Sequence, residues 1–293
     1  MDFYKENLRN LLKKFDDLFS KNIDKDKLAS LHAPLVQFRS DLQKITSNVS
    51  FHFLTEEMKN YIDEAKANEN LSQSEFEGKY SYEMEVCKQL GRAGWVVSEH
   101  SNPRVIKEWY DFLLHQDEKK ISTYFEGNGC ILVNILKKLE QEYRTAPYKI
   151  YYSNAKYYFD REEYMTSAMY LVSLIDVRIN TLMNYPKNIR YNWQKYSVEG
   201  FGNHLQTEFI KTNFFFTKRF LFLDMYPSLI EFLNRLFVDG EYAFGKNTEP
   251  PYINRNWLLH GRSSRVIERY ECIQLFNALS VVEFVFSISN RLN

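Results

Sequence analysis

The sequence predicts an all-α protein, and three observations support this fold class. Apolar residues recur at spacings of three and four, as in Leu8, Leu11, Leu12, Phe15 and Leu18. Glycine and proline are scarce, at 10 and 7 of 293 residues, which disfavours the many turns of a β-sandwich or barrel. Aromatic residues make up 16% of the chain, enough for a real hydrophobic core.

Charge and cysteine content exclude several classes of protein. The 38 basic and 38 acidic residues balance, so the chain does not coat nucleic acid by bulk electrostatics, and any such contact must be local. Cys87, Cys130 and Cys272 are far apart and odd in number, which indicates neither a disulfide framework nor a zinc site. The first residues lack the pattern of a signal peptide. We therefore expect a cytoplasmic protein.

The most apolar stretch, residues 272–288, is interrupted by polar residues at three-residue spacing. These residues are Gln274, Asn277, Ser280 and Glu283. Such a stripe predicts an amphipathic or buried helix and not a membrane span, so no membrane contact is expected.

The first half of the chain reads as a mainly helical region. Residues 1–64 repeat the helical spacing, whereas residues 67–81 are polar and predict a loop. Residues 94–97 predict a short buried strand or a turn. Pro147 and the tyrosine-rich segment after it suggest a domain boundary, giving predicted domains 1–150 and 151–293. Further helices are predicted over 83–90, 103–114 and 121–143, with a bend in the last at Gly127 and Gly129.

The second half carries a stronger helical pattern. A long helix is predicted from about residue 160 to a point before Pro186, and Asp176, Arg178 and Asn180 interrupt its apolar face. For these polar residues an ion pair or an exposed flank is favoured over a catalytic role. Shorter helices are predicted over 209–226 and 227–237, and a closing helix over 266–292.

A long connection over residues 185–203 mixes cations with aromatic side chains. Lys187, Arg190, Trp193 and Lys195 are typical of surfaces that hold unpaired RNA bases and phosphates. Long connections inside compact domains are often functional. The alternative is a packed loop whose aromatic residues close over the core.

The segment 250–262 is the strongest candidate for a site. Pro250 and Pro251 cannot lie inside a helix and Asn254 is a favoured cap, so a helix is predicted to open at Asn254. Arg255 then lies in the first turn, where an anion is favoured, and Asn256 and His260 share a face because they are four residues apart.

These residue types suit metal-free cleavage of RNA. Histidine can take or give a proton near neutral pH as the 2′-OH attacks the adjacent phosphate. Arginine stays charged and can hold two phosphate oxygens as negative charge develops. The adjacent asparagine could orient the phosphate or fix the histidine ring.

The segment also resembles the signature of the HEPN superfamily, an arginine and a polar residue followed by a short spacer and a histidine. The string Asn-Arg-Asn-x-x-Leu-His-Gly, before the last long helix, is similar to HEPN proteins of microbial defence and toxin systems. The resemblance covers about residues 155–293 and implies a HEPN-like helical bundle. It implies a metal-independent endoribonuclease that leaves a cyclic phosphate, with Arg255 and His260 essential and Asn256 assisting.

The resemblance also implies a homodimer, because one motif supplies one histidine whereas the reaction needs an acid and a base. Some family members carry a modifiable tyrosine two residues after the histidine, and Arg262 stands there in this chain. Arg262 and Arg265 instead add positive charge and are candidate substrate-binding residues, or else a solvated helix flank.

Two other functions remain open at this point. The motif residues could be structural, with Arg255 a cap partner and His260 a buried histidine, in a non-catalytic module that binds RNA or protein. A metal-dependent hydrolase is less favoured because no carboxylates and histidines have ligand spacing, so no metal or cofactor is expected. Residues 1–150 are expected to sense a signal, bind a neutralising or activating partner, or dimerise.

Overall fold

The computed structural model describes residues 64, 67–68, 70–101, 103–127, 131–145, 148–182, 219–238 and 248–292. The chain divides into two compact units, one of Met1–Glu64 with Ser287–Asn293 and one of Ala65–Phe286. Nearly all described residues belong to the second unit. The helices predicted within residues 1–64 lie outside the described residues.

The described part of the chain is helical and contains no strand, so the predicted all-α class is confirmed. A short 3₁₀ turn covers Glu118–Lys120 and a π-helix covers Arg219–Met225. The α-helices are α1 (Gln73–Lys79), α2 (Ser81–Arg92), α3 (Pro103–Leu114), α4 (Ile121–Glu126), α5 (Ile131–Glu142), α6 (Tyr148–Asp160), α7 (Tyr164–Leu182), α8 (Tyr226–Leu236), α9 (Arg255–Leu259) and α10 (Arg269–Leu292).

Two predicted elements differ from the observed ones. The predicted loop over 67–81 was wrong, because α1 lies within it. Ser72 caps this helix in a capping box: its hydroxyl accepts from the Glu75 N–H, and the Glu75 carboxylate accepts from the Ser72 N–H at 2.9 Å. Phe76 is fully buried and anchors the helix. The helix predicted over 121–143 is two helices, α4 and α5, and the first ends where Gly127 takes an extended conformation.

A turn at residues 93–94 leads into a buried segment without regular secondary structure, which agrees with the turn alternative. Gly94 has φ +97°, a backbone conformation that residues with a side chain rarely adopt. The Val97 N–H donates to the Ser228 hydroxyl of α8 at 2.9 Å, and the Val96 carbonyl accepts from the Asn277 side chain of α10 at 2.6 Å. Side chains of two helices thus provide the hydrogen bonds that a neighbouring strand would provide.

An aromatic cluster lies against this segment. Trp95 stacks on Phe125 with ring centroids 5.4 Å apart, and Trp109 lies 5.5 Å from Phe125. All three side chains are fully or almost fully buried. This cluster joins the 94–97 segment to α3 and α4.

The polar stripe of α10 is buried. Of the two alternatives predicted from the sequence, an amphipathic or a buried helix, the structure shows the buried one. Gln274 donates to the Ala93 carbonyl at 3.1 Å, and Glu283 accepts from Tyr143 and Arg178. The Ser280 hydroxyl accepts from the Lys138 ammonium at 3.3 Å. Each polar side chain of the stripe therefore has a partner on another element, which offsets the cost of its burial.

The boundary predicted between residues 150 and 151 lies inside the unit Ala65–Phe286. Helices from both sides of this position pack closely. A Cβ added to Gly91 of α2 would lie 2.2 Å from the Ser228 carbonyl oxygen of α8, so the two helices meet at backbone distance.

In the described part of the chain, no helix combines the length and the apolar character that crossing a membrane requires.

Candidate functional site

The motif lies on α9, a single capped turn of helix. Asn254 has extended backbone angles, and its side-chain oxygen accepts from the N–H groups of Asn256 and Trp257 at 3.0 and 3.2 Å. Its side-chain nitrogen donates to the Val238 carbonyl at 3.1 Å. The predicted cap is therefore confirmed, and Asn254 also ties the turn to the segment that follows α8.

Arg255 is held from two sides. Its Nη2 lies 3.1 Å from a carboxylate oxygen of Asp176 on α7, and its Nη1 donates to the side-chain oxygen of Asn256 at 2.9 Å. The side chains of Arg255 and Asp176 are 25% and 14% exposed. This partly buried pair fixes the plane of the guanidinium while leaving part of the side chain accessible.

One donor of Arg255 remains unsatisfied. Its Nε atom is buried and has no hydrogen-bond partner among the residues that the structure describes. An unpaired buried donor costs about 1–3 kcal/mol, and such groups in folded proteins call for an explanation. The unpaired Nε is therefore a local cost to stability, as are the indole N–H groups of Trp95 and Trp109 in the core, which are also unpaired within the described part of the chain.

Asn256 faces Arg255 and the protein interior. The residue is 6% exposed, and its side-chain nitrogen donates to the Val238 carbonyl at 3.3 Å while its oxygen accepts from Arg255. These bonds orient the arginine, a role that the sequence analysis did not assign to Asn256; it proposed that this side chain orients the phosphate or fixes the histidine ring. The structure thus brings Asn256 to Arg255 and packs it beneath the surface.

His260 ends the helix and is exposed. Its N–H donates to the Asn256 carbonyl at 3.2 Å, and its backbone leaves the helical conformation. Gly261 follows with φ +65°, in the left-handed region favoured after a helix end. The N–H of Arg262 then returns to the Trp257 carbonyl at 2.9 Å. This tight reversal presents the imidazole at the rim of the turn.

The segment after the motif is clamped by Glu249, a residue the sequence analysis did not single out. Its carboxylate accepts from the Ser263 hydroxyl, and from the Ser264 N–H and hydroxyl at 2.8 and 3.0 Å. Burial acts to raise the pKa of Glu249, but these hydrogen bonds outweigh it and the net pKa is lowered. The carboxylate thus stays ionised and holds the segment before α9 to the segment that follows it.

The candidate substrate-binding arginines have different surroundings. Arg262 is exposed. Arg265 forms a two-point ion pair with Glu271, one contact being 3.2 Å, and the Glu271 side chain is 3% exposed. Arg265 thus has a structural partner at the start of α10. Lys187, Arg190, Trp193 and Lys195 lie outside the described residues.

Asp176 was named from the sequence, but its partner was not identified there. The ion-pair interpretation of the polar residues in α7 is confirmed, because Asp176 pairs with Arg255 and Arg178 pairs with Glu283. Asn180 donates to the Asp176 carboxylate at 3.0 Å and supports it from one turn further on. The polar residues that interrupt the apolar face of α7 indicated an ion pair in the sequence, but they did not identify Arg255 as the partner of Asp176.

No group of three or more potential metal ligands occurs among the described residues. Comparison with known proteins gave no match to a family model, to a curated protein or to a solved structure.

Proposed function

We propose that the chain is a metal-independent endoribonuclease of the HEPN type, with Arg255 and His260 as catalytic residues. The observation that carries this proposal is the arrangement on α9. One capped turn holds a guanidinium in a fixed plane at its start and an exposed imidazole at its end. The two residues are five positions apart, about 7.5 Å along the helix axis, and we propose that both side chains contact the same phosphodiester.

The proposed reaction needs only proton transfers and charge stabilisation. The RNA 2′-oxygen loses its proton and attacks the adjacent phosphorus, while the bond from phosphorus to the 5′-oxygen breaks and that oxygen receives a proton. The products are a 2′,3′-cyclic phosphate and a 5′-hydroxyl. His260 exchanges the proton, and Arg255 stabilises the charge on the phosphate oxygens.

Asp176 and Asn256 act as positioning residues for Arg255. A guanidinium has five N–H donors, so Arg255 can keep its bonds to these two residues and still donate to a phosphate. Holding the side chain in one conformation before RNA binds removes an entropic cost from the transition state.

The reaction also supports a homodimer. The motif supplies one imidazole per chain, which can act as base or as acid, and a two-fold axis that brings two copies of α9 together would supply both groups. An effector in a toxin or antiviral defence system, restrained or activated by a partner protein, is the biological setting that we propose for this activity in the cytoplasm.

A second candidate is a non-catalytic helical module that binds RNA or protein. The observation that favours it is the set of bonds within the motif, because Asp176 and Asn256 give Arg255 a role in packing α7 against α9. In that function His260 would be a surface residue at a helix end.

The test is cleavage of a labelled single-stranded RNA in excess chelator. The wild-type chain should cut and leave cyclic phosphate ends, whereas His260→Ala should be inactive. His115→Ala is the matched control, because His115 is also an exposed histidine near a helix end. Cleavage by wild type and by His115→Ala alone supports the nuclease. Equal cleavage by all three chains would remove His260 from the reaction, and no cleavage by any of them would favour the non-catalytic module.

A further inference from the structure

A groove lies between the end of α5 and the face of α6, away from the motif on α9. It has a volume of about 740 Å³ and is lined by residues of these two consecutive helices and by Tyr143 and Arg144, which follow α5. Ligand sites in proteins commonly measure about 300–1,000 Å³, so the groove is large enough for a segment of a polymer. It shares no lining residue with the candidate active site.

The groove carries an excess of positive charge. Lys137, Arg144, Lys149 and Lys156 line it together with two carboxylates. Only Lys156 is paired, with a 2.5 Å contact to Asp160. Within the described part of the chain, the other three cations form no ion pair, although the whole protein has no net charge. Unpaired cations concentrated in one concave surface favour an anionic ligand.

The spacing of the cations suits an extended anion. Lys149 and Lys156 are seven residues apart on one face of α6, which places them about 10 Å apart along the helix axis. Arg144 also lines the groove and follows the end of α5. These positions can contact more than one phosphate of the same strand.

An aromatic side chain stands at the edge of the groove. Tyr157 lines it and is 53% exposed, and the Arg161 guanidinium lies 5.3 Å from its ring centroid. Exposed aromatic rings beside cations hold the bases of single strands by stacking, while the cations hold the backbone. An acidic peptide would use the cations but would have no need of the ring.

From this combination we infer that the groove between α5 and α6 binds a single-stranded stretch of RNA outside the active site. The choice of RNA as the anion rests on the proposed function. The groove would hold substrate through its phosphates without reading much sequence, because no base-specific donors are required for that contact.

The test is binding of a fluorescent single-stranded RNA of 12 nucleotides to the full chain, followed by anisotropy. The chain carries His260→Ala so that the RNA is not consumed. Arg144→Glu combined with Lys149→Glu should lower affinity at least tenfold at about 0.1 M salt. It should also reduce the slope of log K against log salt by about 1–1.5, since each lost phosphate contact contributes roughly 0.7.

The matched control is Arg104→Glu combined with Lys107→Glu, an exposed arginine and lysine on α3. This control should stay within about twofold of the parent. An equal loss in both double variants, or no loss in the groove variant, would overturn the inference. Lys137→Ala and Tyr157→Ala test the same inference without charge reversal, because each should also weaken RNA binding. Circular dichroism checks that these variants keep their helical content. Competition by poly-glutamate as effective as RNA at equal ionic strength would assign the groove to an acidic peptide.

Cleavage measurements separate this inference from the proposed nuclease. Groove-dependent binding without cleavage by the wild-type chain would remove the nuclease and keep the RNA groove. If cleavage depends on His260, and the groove substitutions change neither cleavage nor RNA binding, the nuclease is supported and the RNA-binding groove is refuted.

Discussion

Replacing Glu283 by glutamine tests how the helix that carries Asp176 is fixed in the fold. Arg178 of α7 contacts the Glu283 carboxylate of α10 through Nε at 2.5 Å and Nη2 at 2.7 Å. The Tyr143 hydroxyl donates to the same carboxylate at 2.6 Å. Glutamine keeps the shape and an acceptor but removes the charge, so the Arg178 charge is left without its counter-ion in a mostly buried place.

The magnitude follows from the burial of the pair. The side chains of Arg178 and Glu283 are 18% and 4% exposed, so this is a buried ion pair. Removing one partner of such a pair costs about 3–5 kcal/mol. For a folded unit of this size, about 1 kcal/mol lowers Tm by roughly 2–4 °C. We therefore expect Glu283→Gln to lower Tm by about 6–20 °C.

The assay is thermal and denaturant unfolding followed by circular dichroism. Glu108→Gln is the matched control, because Glu108 pairs with Arg104 on an exposed surface where the side chains are 50% and 88% exposed. Such a pair contributes about 0–1 kcal/mol. A Glu283→Gln chain no less stable than the Glu108→Gln chain would refute the reasoning.

A second arm separates the charge from the packing. The triple variant Arg178→Met, Glu283→Leu and Tyr143→Phe removes both charges and the hydroxyl that depends on them. Replacing a complete buried ion pair by apolar side chains of similar volume is often neutral or stabilising. We therefore expect the triple variant to recover most of the stability that Glu283→Gln loses.

Three further predictions concern the cap, the helix contacts and a buried acid. Asn254→Ala should lower stability by about 1–2 kcal/mol in denaturant unfolding and reduce any RNA cleavage, because it removes the cap of α9; unaltered unfolding would contradict this role. Gly91→Ala should destabilise the protein strongly because the new Cβ meets the backbone of α8, whereas Gly78→Ala, in open space within α1, should raise stability by about 0.5–1 kcal/mol. Equal effects of the two alanines on Tm would argue against the close packing. Burial raises the pKa of Asp224 from 3.8 to about 7, so its contribution to stability should be present below pH 4 and lost as pH rises to 7. Asp224→Asn should therefore be more stable than wild type at pH 8 but not at pH 4, and parallel Tm profiles over this range would disprove it.

The sequence by itself determined the helical class and several helix ends. Local rules decide these features: periodic apolar residues predict helices, and proline and asparagine mark where they begin. The helix predicted over 103–114 has the observed bounds, and the cap at Asn254 is also observed. The polar stripe of α10 was visible as well, because its spacing is a property of one segment.

Local rules failed where a short helix lies in a polar segment. Residues 67–81 carry few apolar side chains, which favoured a loop, yet α1 forms there with a capping box and one buried phenylalanine. The burial of Phe76 depends on the rest of the core, so the composition of the segment could not decide it.

Only the tertiary structure decided which distant residues meet. Arg255 and Asp176 are 79 positions apart, and Arg178 and Glu283 are 105 apart. Either arginine could have paired with many carboxylates, because ion pairing has no short-range sequence signature. The same reason hid the groove, whose cations share a surface only because α5 and α6 pack side by side. The sequence thus determined which segments fold as helices, whereas the packing of those helices decided the partners of their charged side chains.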